Sequence, residues 1–236
     1  MKVAINQSNY ISWKGYFNMI QLVDLFILYD DVQYTKRDWR NRNKIKTSHG
    51  LKWLTIPVNV KGKYFQKIKD TTVIDKSWRI NHLKTIKGCY SKSKHFSDVF
   101  PMVENLYLTA EFETISQINY HFICGICDYL KIDTQIVFSS GYDLSEDRKT
   151  ERLIHICKQA GATEYISGPL AKDYIQNDKF ENNNLKLTWM NYENYPEYPQ
   201  LYGDFEHKVS IIDLLFNCGD DSMNFIHSKK EKAHEL

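Results

Sequence analysis

The feature that most restricts this chain is the alternation of element types at its start. Residues 3–5 are a short apolar strand that opens into a polar loop over 6–12. Trp13, Phe17, Ile20 and Val23 then recur at the spacing of one helix face. Residues 25–29 follow as an unbroken apolar run that ends in Asp30 and Asp31. A run without polar alternation suits a strand covered on both faces, as strands of parallel sheets are. Strand, helix and strand in so short a span predict a βαβ unit.

The alternation continues downstream. Residues 53–60 and 71–74 read as two further strands, with a basic loop over 61–69 between them. From Trp78 to about Leu130 the period is helical, with Pro101 as a helix start. This predicts a helical insertion or lid over 78–130 within a single domain spanning 1–236. Residues 135–138 return to strand, and 148–160 form a helix stopped by Gly161. A strand over 163–167, a helix from Ala171 to about Gln176, a strand over 185–189 and an apolar helix over 209–216 complete the pattern. The charged stretch 228–236 reads as a frayed end. The expected class is α/β, a mainly parallel sheet with helices on both faces.

Composition narrows the function classes. An apolar share of 42% is enough for a sizeable core. No apolar run reaches the roughly 18 residues that a membrane span needs, and the N-terminus turns polar too early for a signal peptide. The five cysteines make an odd set without a disulfide framework, which suits a reducing, cytoplasmic setting. Cys124 and Cys127, with His121 nearby, lack the second ligand pair of a zinc site, so no metal is expected. A net charge of +2 lacks the broad footprint of a nucleic-acid binder, although residues 36–46 carry six Lys or Arg and one acid. Tyrosine is abundant, and aromatics beside cations suit sugars, bases and phosphates. The partner expected is an anionic small molecule; the sequence names no cofactor.

Parallel sheets bind ligands beyond the carboxyl ends of their strands, which singles out the loops 6–15, 30–46 and 167–172. In the first, Gln7 and Asn9 offer amides to a base or a sugar hydroxyl, with Tyr10 and Lys14 beside them. Gly15 either lets the backbone approach a phosphate at a helix N-terminus or serves as a packing residue. In the second, Asp30 and Asp31 can accept from sugar hydroxyls, hold Mg²⁺ with substrate phosphates or act as a base. Gln33 and Asn41 add polar groups, and Arg37, Arg40 and Arg42 can fork onto phosphate or carboxylate. Arg40 and Arg42, two apart in extended chain, are expected to meet one anion. Arg40→Ala should then weaken binding and leave stability unchanged. In the third, Ser167 and Gly168 either present backbone N–H groups to a phosphate, with Lys172 one turn in, or simply cap a helix. No G-x-S-x-G elbow exists, and the eight His are scattered. His95 and His207 are the two expected nearest a site. His95 joins Asp30 and Asp31 as a catalytic candidate, with Lys92 and Lys94 as phosphate contacts.

The same residues carry a resemblance. Q-x-N-Y-x-x-W-K-G-Y-F from Gln7, Y-D-D-V-Q-Y-T-K-R-D-W-R-N-R-N-K-I-K from Tyr29, and later Y-I-S-G-P-L-A-K-D-Y from Tyr165 and P-E-Y-P-Q-L-Y-G from Pro196 resemble the WbqC-like proteins. Ser8 and Ser12 stand where prolines are common in that family. The resemblance implies an enzyme of O-antigen-type surface-glycan synthesis acting on a nucleotide-linked sugar, with acylation or aminoacylation of an amino sugar as the step. A fainter resemblance, through Lys14, Gly15 and Tyr16 at a helix start, is to nucleotidylyltransferases and pantoate ligases of the HIGH-signature class. Neither signature His is present, which counts against adenylyl transfer; a nucleotidylyltransferase-like enzyme or ATP-using ligase is the alternative reading. A non-catalytic sugar-nucleotide or RNA-binding module is the third.

Overall fold

The first strand, β1 (Lys2–Asn6), sits at the centre of a five-stranded parallel sheet in a computed structural model that describes residues 1–146 and 148–226. The stretch expected to fray, 228–236, lies outside the described residues. Helix α1 (Lys14–Gln21) returns the chain to β2 (Leu25–Leu28), which pairs with β1 in register Val3 to Leu25. A hairpin, β3 (Arg42–Thr47) and β4 (Gly50–Thr55), follows as a separate antiparallel sheet. Three helices come next: α2 (Trp78–Tyr90), α3 (Phe96–Thr109) and α4 (Ile115–Leu130). The chain then re-enters the sheet with β5 (Gln135–Phe138), α5 (Lys149–Gln159), β6 (Glu164–Ser167), α6 (Asn177–Glu181) and β7 (Lys186–Trp189). Helix α7 (Ile211–Cys218) runs on into a 3-10 helix, Gly219–Phe225. The sheet order is β5-β2-β1-β6-β7, with every pairing parallel.

Helices cover both faces of this sheet, and the two-residue strand period decides which side chain meets which layer. Ala4, Phe26, Leu28 and Ile166 join one core with Phe17 and Ile20 of α1, Ile118 and Phe122 of α4, and Leu215 of α7. Val3, Ile5, Leu25, Ile27 and Tyr165 face the other way, onto Leu153, Ile154 and Cys157 of α5 and Phe180 of α6. Burial on both faces explains why β2 reads as a continuous apolar run, all four of its residues being buried. A buried side chain such as Phe26 contributes about 1.5–3 kcal/mol.

Several boundaries differ from the sequence expectation. Residues 53–60 and 71–74 are not strands of the parallel sheet. Strand β4 ends at Thr55, just before Pro57, which cannot donate to a ladder. Beyond it, 57–60 and 72–74 touch through single bridges such as Val58 with Val73. Pro101 lies inside α3, not at its start; the stacked rings of Phe96 and Phe100, 4.8 Å apart, anchor the turn ahead of it. The helix expected from Ala171 to Gln176 is a short 3-10 turn, Pro169–Asp173, separated from α6 by extended Gln176. Gly161 does end α5 in the left-handed region, at φ +70°.

Candidate functional site

The order β5-β2-β1-β6-β7 reverses direction between β1 and β6, since the chain builds outward through β2 and β5 before crossing to β6 and β7. At such a switch point the loops leaving two neighbouring strands diverge and leave a crevice at their carboxyl ends. A cavity of about 680 Å³ occupies that place. Asn6 and Gln7 line it from the end of β1, Tyr29 and Gln33 from beyond β2, and Ser167, Gly168 and Leu170 from beyond β6. The first turn of α5 adds Lys149 and Arg152, and among the described residues no acidic side chain lines the wall. Two cations make this chamber suited to an anion. The Arg152 guanidinium is positioned by the Glu146 carbonyl and lies 3.4 Å from the Tyr29 hydroxyl. The Lys149 ammonium stands 5.7 Å above the Tyr174 ring.

A second chamber of about 570 Å³ shares Leu170 and Tyr192 with the first. Its wall is aromatic: Trp13 meets Tyr192 edge-on at 5.0 Å and Tyr195 at 5.9 Å, with Trp39 nearby. Asn9, Asn43, Asn194 and His207 supply its polar groups. Rings with scattered amides and hydroxyl partners are what a sugar or a base requires of a wall. Burial, followed by the charge of Lys14, lowers the His207 pKa below its ordinary value, so the ring is neutral near pH 7 and able to accept a proton.

The loop that floors both chambers is held from several sides. Ser8 donates its N–H to the Asp30 carboxylate at 2.9 Å, and Ser116 donates its hydroxyl to the other oxygen. Asn119 binds the Ser8 hydroxyl and the Arg40 carbonyl, both at 2.9 Å. The Arg40 guanidinium donates to the Asn9 side chain and reaches the Ser8 carbonyl at 3.4 Å. Further on, buried Ile11 adopts φ +35°, a conformation that a β-branched residue strongly disfavours. Asn43 and Ser210 clamp its carbonyl at 3.0 and 2.6 Å. Strain over-determined by surrounding bonds is characteristic of binding loops.

The family model described as the WbqC-like protein family matches residues 7–225. The chain belongs to the WbqC-like family. It is similar to uncharacterized protein Rv1507c of Mycobacterium tuberculosis (strain ATCC 25618 / H37Rv), at 47% identity over 225 residues, covering 95% of this chain and 97% of that one. No solved structure matches it.

In this WbqC-like chain the residues singled out from sequence divide into three groups. Gln7, Gln33, Ser167 and Gly168 line the first chamber, and Asn9 lines the second. Asp30, Arg40, Asn41, Tyr10, Lys14 and Gly15 stand behind those walls. Asp30 is buried, which raises its pKa against the hydrogen bonds from Ser116 and Ser8. Asn41 donates to the Ile56 carbonyl at 2.8 Å and accepts from Tyr34. The Tyr10 hydroxyl is bonded to His82 and Tyr107. Lys14 donates to the Pro196 carbonyl at 2.8 Å inside a cage of Tyr195, Tyr198 and Phe205, and burial pushes its pKa down to about 8. Gly15 is the packing residue of the two readings: a Cβ there would fall 2.4 Å from the Trp13 ring.

The third group points elsewhere. Asp31 binds Lys69 at 2.6 Å and Ser139 at 2.8 Å; these bonds and the lysine charges outweigh the upward push of burial and hold its carboxyl low. Arg42 stacks 4.1 Å from the Trp53 ring and donates to the Arg37 carbonyl, so it does not converge with Arg40 on one anion. The two part because Arg40 precedes β3 and turns inward. Lys172 lies over the Trp189 ring at 5.6 Å, and its 3-10 turn is too short to carry a helix dipole. His95 lines a different cavity of about 410 Å³ with Lys92 and Lys94. Among the lining residues that the sequence reading missed are Lys149, Arg152 and Tyr192. A basic pair in the first turn of the helix after β5 was the available signal for two of them, because that turn starts at the sheet's carboxyl edge.

Proposed function

We propose that this chain is a cytoplasmic transferase of surface-polysaccharide synthesis that acylates or aminoacylates a nucleotide-linked amino sugar. The observation that carries this reading is the pair of chambers sharing Tyr192 and Leu170, one cationic and the other aromatic with a neutral histidine. Membership of the WbqC-like family supports it, because the resemblance implies a role in surface-glycan synthesis.

In this reading the diphosphate rests against Lys149 and Arg152 in the first chamber. The sugar ring passes Tyr192 and lies against Trp13 in the second. Its amino nitrogen attacks the carbonyl carbon of an activated acyl donor; the C–N bond forms as the bond to the donor's leaving group breaks. The proton released from nitrogen passes to His207. A base with a pKa somewhat below neutrality is suited to this step, because it is unprotonated at the start.

Calorimetric titration with UDP- and dTDP-linked amino sugars tests the binding half. Lys149→Ala should weaken binding about tenfold, the cost of losing one charge-assisted hydrogen bond. Mass spectrometry of the sugar nucleotide after incubation with acyl or aminoacyl donors tests the transfer half. Pyrophosphate release from ATP without an acylated product would overturn this reading in favour of a ligase.

A further inference from the structure

Outside the two chambers, the segment over 61–67, Lys-Gly-Lys-Tyr-Phe-Gln-Lys, is the place where large aromatic side chains are most fully given to solvent. Tyr64 is 72% exposed and Phe65 83% exposed, and their rings pack edge-on against each other at 4.9 Å. Gly62 makes the turn at φ +73°. Lys61 and Lys63 precede the rings and are exposed, Lys67 follows them, and no acidic residue occurs between Asn59 and Lys69. The base of the segment is firm. Ile68 is fully buried, its N–H bonds the Val32 carbonyl at 3.0 Å, and Tyr34 donates to the Gln66 carbonyl at 2.9 Å.

We propose that this tip docks the chain on an anionic lipid bilayer. Aromatic rings with polar or quadrupolar edges settle at the headgroup level, and lysines beside them are attracted to anionic headgroups. Two adjacent rings raised on a rigid base match both requirements: exposed Lys61 and Lys63 flank them, and Lys67, 3.8 Å from Asp31, marks the base. The edge-on packing of the rings argues against single-stranded nucleic acid, which stacks successive bases on parallel faces. The placement also has a consequence for the site. Gln33, which lines the first chamber, donates its side-chain amide to the Tyr64 carbonyl at 2.9 Å. The tip therefore stands at that chamber's rim, and docking holds the chamber beside the lipid surface. This inference is independent of the transferase reading, since it concerns attachment and needs no sugar substrate.

Vesicle flotation tests it, using phosphatidylcholine alone and phosphatidylcholine mixed with phosphatidylglycerol. The wild-type chain should float with the mixed vesicles, float poorly with phosphatidylcholine alone, and detach as salt is raised. Tyr64→Ser with Phe65→Ser, and separately Lys61→Glu with Lys63→Glu, should each lower the bound fraction about tenfold while the melting temperature stays unchanged, as expected for exposed positions. In a Phe65→Trp chain the indole emission should shift to the blue when mixed vesicles are added. Failure of the wild type to float, equal flotation of the double variants, or an unshifted indole spectrum would each overturn the proposal.

Discussion

The Ser8 backbone N–H donates to the Asp30 carboxylate at 2.9 Å, so a residue two past the end of β2 holds the loop that leaves β1. The buried carboxylate thus shapes the site through the loop that it holds. Asp30→Ala leaves the Ser8 N–H and the Ser116 hydroxyl without their acceptor. Each buried unsatisfied group costs about 1–3 kcal/mol, which for a chain of this size lowers Tm by about 2–4 °C per kcal/mol. Thermal unfolding should show that loss, and affinity for the sugar nucleotide should fall with it. A Tm equal to wild type would mean that the loop is held without Asp30.

Arg40 illustrates how tertiary placement changes an expected phenotype. An exposed substrate-binding arginine would leave stability untouched on removal. Instead its side chain is 11% exposed and bonded to Asn9, the Ser8 carbonyl and Asp38. Burial lowers its pKa, with Asp38 opposing that shift. Arg40→Ala should destabilise the fold by about 1–3 kcal/mol through the polar groups it abandons. Arg42→Ala, which removes a guanidinium stacked at the surface, should change stability by less than about 0.5–1 kcal/mol. Paired denaturant titrations of the two variants check the contrast.

Stability should depend on pH through His82. Burial pushes its pKa from 6.5 down to about 4, with a hydrogen bond to the Thr55 carbonyl opposing the shift. A ring nitrogen that donates to Thr55 leaves Nδ1 to accept from the Tyr10 hydroxyl at 2.9 Å, an arrangement only the neutral ring allows. The folded pKa lies below the unfolded one, so the unfolded chain binds the proton more readily. The histidine's contribution is therefore present above pH 6.5 and lost as pH falls toward 4. Its full size is about 3 kcal/mol. His82→Asn should be less stable than wild type at pH 7 and flatter between those limits. A wild-type profile that is flat there would refute the assignment.

In the proposed transfer reaction, His207 should set the acid limb. Because it must be neutral to accept a proton and its pKa lies below the ordinary value, the rate should fall only at pH clearly under 6.5. His207→Ala should lower kcat by about 10²–10⁴-fold with a smaller effect on KM, and should abolish that limb. A pH profile unchanged in the variant would remove His207 from the chemistry.

Much of the parallel sheet was legible because its strands are short apolar runs placed between helical periods. β1, β2, β5, β6 and β7 were each found within a residue or two, and Gly161 stopped α5 where its left-handed backbone is needed. The hairpin was less legible. Lys44 and Trp53 pair across it with exposed rings and cations, so it carries little apolar alternation to read. Among candidate site residues, Gln7, Asn9, Gln33, Ser167 and Gly168 reach the chambers because they follow strands at the carboxyl edge.

What the sequence determined by itself was the local grammar: apolar runs for two-sided strands, helical periods between them, and hence which loops leave the carboxyl edge. Residue type could not tell an arginine turned inward from one turned outward, nor an aspartate that holds a loop from one that meets a ligand. Asp30 and Asp31 are neighbours, yet one is bonded to Ser8 and Ser116 and the other to Lys69 and Ser139. The two lie in the turn that leaves β2, and the turn sends their side chains to different neighbours. Only the strand order, which brings β6 beside β1 across about two thirds of the chain, decided that Lys149, Arg152 and Tyr192 share a wall with Gln7.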